Sequence, residues 1–119
     1  MLPTPFIGSD RARAIAREFG TPVYVYDQAT LERSAEEVLA FPNAFGLTAR
    51  FAMKALPSRA VLKIFHARGL RVDASSGFEA ERALLAGLPP SDVQIRAKEQ
   101  QKNLRELVER GVEFTACSL

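Results

Sequence analysis

Apolar residues recur at helical spacing in several segments of the chain, and short runs rich in β-branched and aromatic residues separate these segments. The first part of the pattern predicts a helix over residues 9–19, a strand over residues 23–26 and a helix over residues 29–40. Ser9 or Asp10 is expected to cap the first helix, and Asp27 the second.

From residue 47 onward, strands and helices alternate without any sequence typical of a hairpin turn. The predicted strands cover residues 47–54, 70–73, 93–96 and 112–116, and the predicted helices cover residues 57–67, 78–86 and 101–110. Repeated strand–helix units of this kind indicate parallel strands joined by helical crossovers. The fold is therefore α/β, either an open doubly wound sheet or part of a (β/α) barrel. The glycine fingerprint of dinucleotide-binding sheets and the P-loop are both absent from the sequence.

The chain has 119 residues, whereas a closed eight-stranded barrel takes about 250. We therefore expect about four strand–helix units, the N-terminal part of an incomplete barrel, whose last strand lies at an open edge. Residues 1–26 form a separate N-terminal segment in this interpretation, and residues 27–119 form the partial barrel.

Composition and charge narrow the class of protein. Apolar residues make up 47% of the chain and the net charge is +2, which gives no argument for a nucleic-acid partner or for a membrane surface. No apolar run approaches the roughly 20 residues of a membrane span. With one histidine and one cysteine, Cys117, neither a metal site nor an internal disulfide is expected. These features predict a soluble cytoplasmic protein.

Lys54 is the first candidate for chemistry, because it lies at the predicted carboxyl end of an apolar strand. Partial loss of solvation there would favour the free amine, which is the form that condenses with an aldehyde such as pyridoxal phosphate. The alternative is that the side chain only extends to water, as most lysines at strand ends do.

Asp73 is the second candidate, at the end of the next predicted strand, where α/β proteins place their sites. Ser75, Ser76 and Gly77 follow it and open a helix. Ser76 and Glu79 have the spacing of a capping box, which is a purely structural alternative for both.

For four other residues, structural roles are favoured. His66 is interpreted as a residue of a helix's last turn, and Cys117 as a cysteine without a basic partner in sequence. Lys98 and Glu99, at the carboxyl end of a predicted strand, are interpreted as the start of the next helix, and contact with a substrate is the alternative for them.

The run Phe-Ala-Met-Lys-Ala at residues 51–55 resembles the Tyr/Phe-Ala-x-Lys-Ala motif of the alanine-racemase-like, fold type III pyridoxal-phosphate decarboxylases. Eighteen residues after Lys54 begins the segment Val-Asp-Ala-Ser-Ser-Gly-Phe-Glu at residues 72–79, which is similar to that family's Asp-x-x-Ser-x-x-Glu segment. The resemblance covers roughly residues 20–119. Two motifs in the family's order and at its spacing are more specific than either alone.

The resemblance implies an alanine-racemase-type (β/α)8 TIM barrel joined to a β-domain, to which the strand over residues 23–26 would contribute. Lys54 would be the Schiff-base lysine of pyridoxal 5′-phosphate, Asp73 would lie close to the cofactor, and Glu79 would support that region. The reaction implied is decarboxylation of a small amino acid by a homodimer. The preferred candidate for the substrate is meso-diaminopimelate, which would give lysine and CO2. Ornithine, arginine and carboxynorspermidine are the alternative substrates.

In that family the histidine that stacks on the cofactor ring, the phosphate loop and the acidic partner of the pyridine nitrogen would all come after residue 119. The resemblance therefore implies the N-terminal part of such an enzyme, encoded short, split or cut. A non-catalytic α/β remnant that acts as an interaction module through its open edge is the alternative from another class.

Overall fold

The computed structural model describes residues 6–116 of the chain. The helices in this range are α1 (Ser9–Phe19), α2 (Gln28–Leu39), α3 (Arg59–Ala67), α4 (Gly77–Leu85) and α5 (Leu104–Glu109). The strands are β1 (Arg50–Ala52), β2 (Arg71–Ala74), β3 (Val93–Ile95) and β4 (Glu113–Phe114). Short 3₁₀ turns cover Met53–Ala55 and Pro90–Asp92.

The four strands form one parallel sheet in the order β1-β2-β3-β4, which confirms the predicted α/β arrangement of parallel strands. Ala52 pairs with Asp73, Asp73 with Gln94, and Gln94 with Glu113, so these four residues form one row across the sheet. Because all four strands run in the same direction, their carboxyl ends meet at one edge of the sheet.

One face of the sheet is apolar and covered by helices. Val72, Ala74, Val93 and Ile95 alternate along β2 and β3 and are fully buried. Above them α3, α4 and α5 contribute buried residues to the same core, among them Leu62, Ala80, Ala83 and Leu107. The intervening residues Arg71, Asp73, Gln94 and Glu113 lie on the opposite face, which we call the inner face.

A second apolar cluster joins α2 to α3 and to the start of the sheet. Ala35 of α2 is buried there together with Val61 and Phe65 of α3. Phe51 contacts both clusters, and its ring centroid lies 4.6 Å from that of Phe65. In contrast, α1 contributes no buried residue, so the packed core begins with α2.

Charged residues at the beginning of the strands form a network, which we call the N-terminal network. Arg50 pairs with Glu113, and Arg71 Nε lies 3.1 Å from Asp92 Oδ1. His66, in the last turn of α3 as predicted, has its Nε2 2.8 Å from Asp92 Oδ2. These contacts tie three strands and α3 together at the end of the sheet opposite to the strands' carboxyl ends.

The strand predicted for residues 23–26 is wrong, because no strand is formed there among residues 6–116. Tyr24 is 88% exposed and Tyr26 53% exposed. A β-branched and aromatic run becomes a strand only where another strand's backbone pairs with it, and none of the described strands does so.

Several predicted boundaries also move. The strand expected over residues 47–54 is limited to Arg50–Ala52, since a 3₁₀ turn follows it directly. The cap predicted for α1 at Ser9 or Asp10 is wrong, because Gly8 occupies that position and no side chain caps the helix. The cap predicted for α2 is confirmed, with Asp27 accepting a hydrogen bond of 2.9 Å from the Thr30 backbone N–H.

No helix within residues 6–116 combines the length and the apolar character that crossing a membrane requires.

Candidate functional site

The carboxyl ends of β1, β2 and β3 open onto a solvent-facing cleft of about 530 Å³, which we call the Lys54 cleft. Each strand end supplies part of its lining: Lys54 after β1, Ser75 and Ser76 after β2, and residues 96–99 with Gln101 after β3. This is the edge at which parallel α/β sheets carry their sites.

Lys54 lies in the middle of the 3₁₀ turn that follows β1. The preceding residue, Met53, is fully buried in the core and fixes this turn against the sheet. The Lys54 side chain is exposed, and no ion pair to it is found among the described residues. The expectation that this amine loses part of its solvation is therefore wrong for this chain, because the turn directs Met53 inward and leaves Lys54 in water.

Asp73 lies on the inner face of β2, paired in register with Ala52 and so two residues before the level of Lys54. Its side chain is not among the groups that line the Lys54 cleft. Its Oδ1 is buried and has no hydrogen-bond partner among the described residues. An unsatisfied buried carboxylate oxygen is unfavourable, so Asp73 holds an unused acceptor on the face that leads to the cleft.

The turn between β2 and α4 shows a modified form of the predicted capping box. Ser76 Oγ accepts a hydrogen bond of 3.2 Å from the Glu79 backbone N–H, as expected of the cap. The Glu79 carboxylate does not return to Ser76. It accepts hydrogen bonds from the Ser75 backbone N–H, at 2.7 Å, and from the Ser75 hydroxyl, at 3.0 Å. Glu79 does not line the cleft itself, but it thus holds in place the turn that carries Ser75.

The segment after β3 contributes to the site by lining the cleft. Lys98 and Glu99 lie in an irregular loop that lines the cleft, so the interpretation of these two residues as the start of a helix is wrong. Gln101 holds this loop against α4: its Oε1 accepts from the Gly77 backbone N–H at 3.0 Å, and its Nε2 donates to the Glu99 carbonyl at 2.9 Å.

Gly77 also allows the close approach of Asn103, because a Cβ at position 77 would lie 2.1 Å from Asn103 Oδ1. The cleft-lining residues that sequence analysis missed are Arg96 and Gln101. The available signal was their position just after a predicted strand.

The arrangement combines an accessible primary amine with an excess of positive charge. Lys54, Arg96 and Lys98 line the cleft with a single carboxylate, that of Glu99. An amine in such surroundings can condense with a carbonyl compound, and its charged neighbours favour one that carries an anionic group.

Comparison with known families agrees with this chemistry. Residues 30–118 match the pyridoxal-binding domain of the pyridoxal-dependent decarboxylases. The match covers all of α2 except its first two residues, and all four strands. The chain therefore belongs to the pyridoxal-dependent decarboxylase family, as its motifs at residues 51–55 and 72–79 predicted.

The chain is also similar to individual decarboxylases. It is 33% identical to diaminopimelate decarboxylase of Bacillus subtilis over 112 residues, which cover 89% of this chain and 25% of that protein. It is 40% identical to diaminopimelate decarboxylase of Haemophilus influenzae over 98 residues, 78% of this chain and 23% of that protein. The corresponding protein of Archaeoglobus fulgidus is 37% identical over 109 residues, 88% of this chain and 25% of that protein. The chain thus spans about a quarter of the length of these relatives.

Proposed function

We propose that this chain forms the N-terminal part of the cofactor domain of an amino-acid decarboxylase that converts meso-diaminopimelate to lysine and CO2. The main observation in support of this proposal is that Lys54, which lies in the family's motif, is exposed in the cleft at the carboxyl ends of the strands. The substrate is supported by relatives whose names specify diaminopimelate. Decarboxylation of ornithine, arginine or carboxynorspermidine is the alternative within the family.

The residues that line and underlie the cleft fit a pyridoxal cofactor. Lys54 Nζ is accessible for attachment of the cofactor's aldehyde carbon, and Arg96 and Lys98 provide charge complementary to an anion. The unused Oδ1 of Asp73 provides an acceptor nearby on the inner face. When bound, pyridoxal phosphate supplies an electron sink for the electron pair left behind by loss of CO2.

Each of these side chains would contribute separately to the reaction. Lys54 would hold the cofactor and accept or return a proton at Nζ when a substrate amine replaces it. Asp73 would lie close to the cofactor, on the inner face behind the cleft. Glu79 would keep Ser75 in place through the two hydrogen bonds that Ser75 donates to it.

The proposed fold is the first half of an alanine-racemase-type barrel, joined to a β-domain near residue 26. The strand order β1-β2-β3-β4 and the placement of the helices on one face support the barrel. The absence of buried residues in α1, compared with Ala35 in α2, supports the boundary. The homodimer and the cytoplasmic location stay predictions.

An interaction module without catalysis is the competing function. It is favoured by the outer edges of β1 and β4, which pair with no other strand among residues 6–116. Such a module would still bind its partner after replacement of Lys54. The N-terminal half of a decarboxylase would instead lose the decarboxylase activity that it shows when combined with the rest of the enzyme.

Reductive trapping tests the proposed attachment site. The purified chain is incubated with pyridoxal 5′-phosphate, reduced with borohydride and digested, and the labelled lysine is identified by mass spectrometry. We expect the label on Lys54 and its loss in Lys54→Ala. The control is Lys63→Ala, an exposed lysine on α3 outside the cleft, which should leave the label in place. Labelling mainly at another lysine would contradict the proposal.

A further inference from the structure

We propose that Arg96 binds an anionic oxyacid group, a carboxylate or a phosphate, of the ligand that occupies the Lys54 cleft. This inference rests on the proposed function, because the ligand is taken to be attached at Lys54. It makes Arg96 a specificity-determining residue, which selects among carbonyl compounds by their charge.

The backbone places Arg96 beside the reactive amine. Its N–H donates a hydrogen bond of 2.9 Å to the Ala74 carbonyl, which extends the pairing of β2 and β3 by one residue. Arg96 is therefore held in line with the strand end and follows Gln94 by two residues, on the side of the inner face. Ser75 and Lys54 occupy the same level after β2 and β1, and all three residues line the cleft.

The charge of Arg96 is available to a ligand. Its side chain is exposed and makes no ion pair with a carboxylate among the described residues. At the other end of the sheet the situation differs, since Arg50 and Arg71 both pair with acidic residues of the N-terminal network. Arg50 and Arg71 thus form stabilising ion pairs at one end of the sheet, whereas Arg96 at the cleft has no carboxylate partner among the described residues.

The guanidinium group and its support favour Arg96 over Lys98 for this task. Arginine presents two parallel N–H donors that match both oxygens of a carboxylate or two oxygens of a phosphate, whereas lysine acts as a point charge. The loop that follows Arg96 is anchored by the two hydrogen bonds of Gln101. The backbone on both sides of Arg96 is therefore held in place before a ligand arrives, which lowers the entropic cost of binding.

Reductive capture with paired aldehydes tests the inference. Capture at Lys54 is measured against concentration for pyridoxal 5′-phosphate and pyridoxal, which differ by a phosphate, and for 4-carboxybenzaldehyde and benzaldehyde, which differ by a carboxylate. In the unmodified chain we expect half-maximal capture at a lower concentration for the anionic member of at least one pair. Arg96→Gln should reduce that preference by about tenfold, as expected for the loss of a charge-assisted hydrogen bond.

Two further variants separate charge from structure. Arg96→Lys should retain part of the preference because it keeps the charge. Arg105→Gln, an exposed arginine of α5 outside the cleft, should retain all of it. Circular dichroism of each variant verifies that the helices are retained.

The result also identifies the group that is recognised. Loss confined to the pyridoxal pair assigns Arg96 to a phosphate, and loss confined to the benzaldehyde pair assigns it to a carboxylate. Capture at Lys54 with both preferences unchanged in Arg96→Gln would overturn the inference and leave the proposed function intact. Absence of capture at Lys54 in the unmodified chain would instead reject the proposed function, and this inference with it.

Discussion

Met53 and Lys54 are adjacent in one 3₁₀ turn, yet their side chains have opposite environments. Met53 is fully buried in the larger core cluster, whereas Lys54 is exposed to solvent in the cleft. The position of the Lys54 amine is therefore set by the burial of its neighbour rather than by contacts of its own.

Truncation of the two side chains should separate these roles. Met53→Ala is expected to lower the free energy of unfolding by about 2–5 kcal/mol, because it removes a fully buried side chain and leaves a cavity. Lys54→Ala should change the free energy of unfolding by less than about 0.5 kcal/mol, as is usual for exposed positions. Urea titration of both variants measures the difference. Equal destabilisation by the two substitutions would contradict the assigned burial.

At the scale of elements, the start of α2 is fixed by a side-chain cap. Asp27 Oδ2 accepts hydrogen bonds from the Thr30 hydroxyl, at 2.6 Å, and from the Thr30 backbone N–H, at 2.9 Å. The hydroxyl hydrogen bond first, and then the backbone one, lowers the pKa of Asp27 below its usual 3.8. The ionised carboxylate is thus the form that the helix stabilises.

This cap should make the stability of the chain depend on acid pH. Because the pKa of Asp27 is lower in the folded chain, its contribution is fully present above the unfolded pKa and is lost as the pH falls through the folded pKa. We expect the difference in Tm between the unmodified chain and Asp27→Asn to be largest at neutral pH and to shrink below about pH 4. Thr30→Val, which keeps the shape but removes the hydroxyl donor, should weaken this acid dependence. A difference in Tm that stays constant across the titration would contradict the assignment.

At the scale of the whole molecule, the chain contains Lys54 and the Lys54 cleft but spans only about a quarter of the length of its relatives. We expect the purified chain to capture pyridoxal 5′-phosphate weakly and to release no CO2 from meso-diaminopimelate, because its contacts to the cofactor come from only about a quarter of the length of these relatives. Spectrophotometric titration with the cofactor and an assay of CO2 release measure the two effects. Robust decarboxylation by the chain alone would contradict this expectation.

The parallel sheet, its four strands and the location of Lys54 could be predicted from sequence, because they depend on local periodicity and on motif order. The strand expected at residues 23–26 could not be judged in this way, since pairing depends on another backbone in space. The exposure of Lys54 depends on the 3₁₀ turn, which no single residue type specifies. Likewise, the loop at residues 96–101 is positioned by Gln101, whose partner Gly77 is distant in sequence.

The N-terminal network and the Lys54 cleft occupy opposite ends of strands that are only two to four residues long. The ion pairs that stabilise the sheet are thus physically separate from the residues that would contact a ligand. Libraries randomised at residues 96–100 would therefore vary the ligand-binding side chains and leave the N-terminal network unchanged. This makes the small sheet a starting point for directed evolution of lysine-based catalysts.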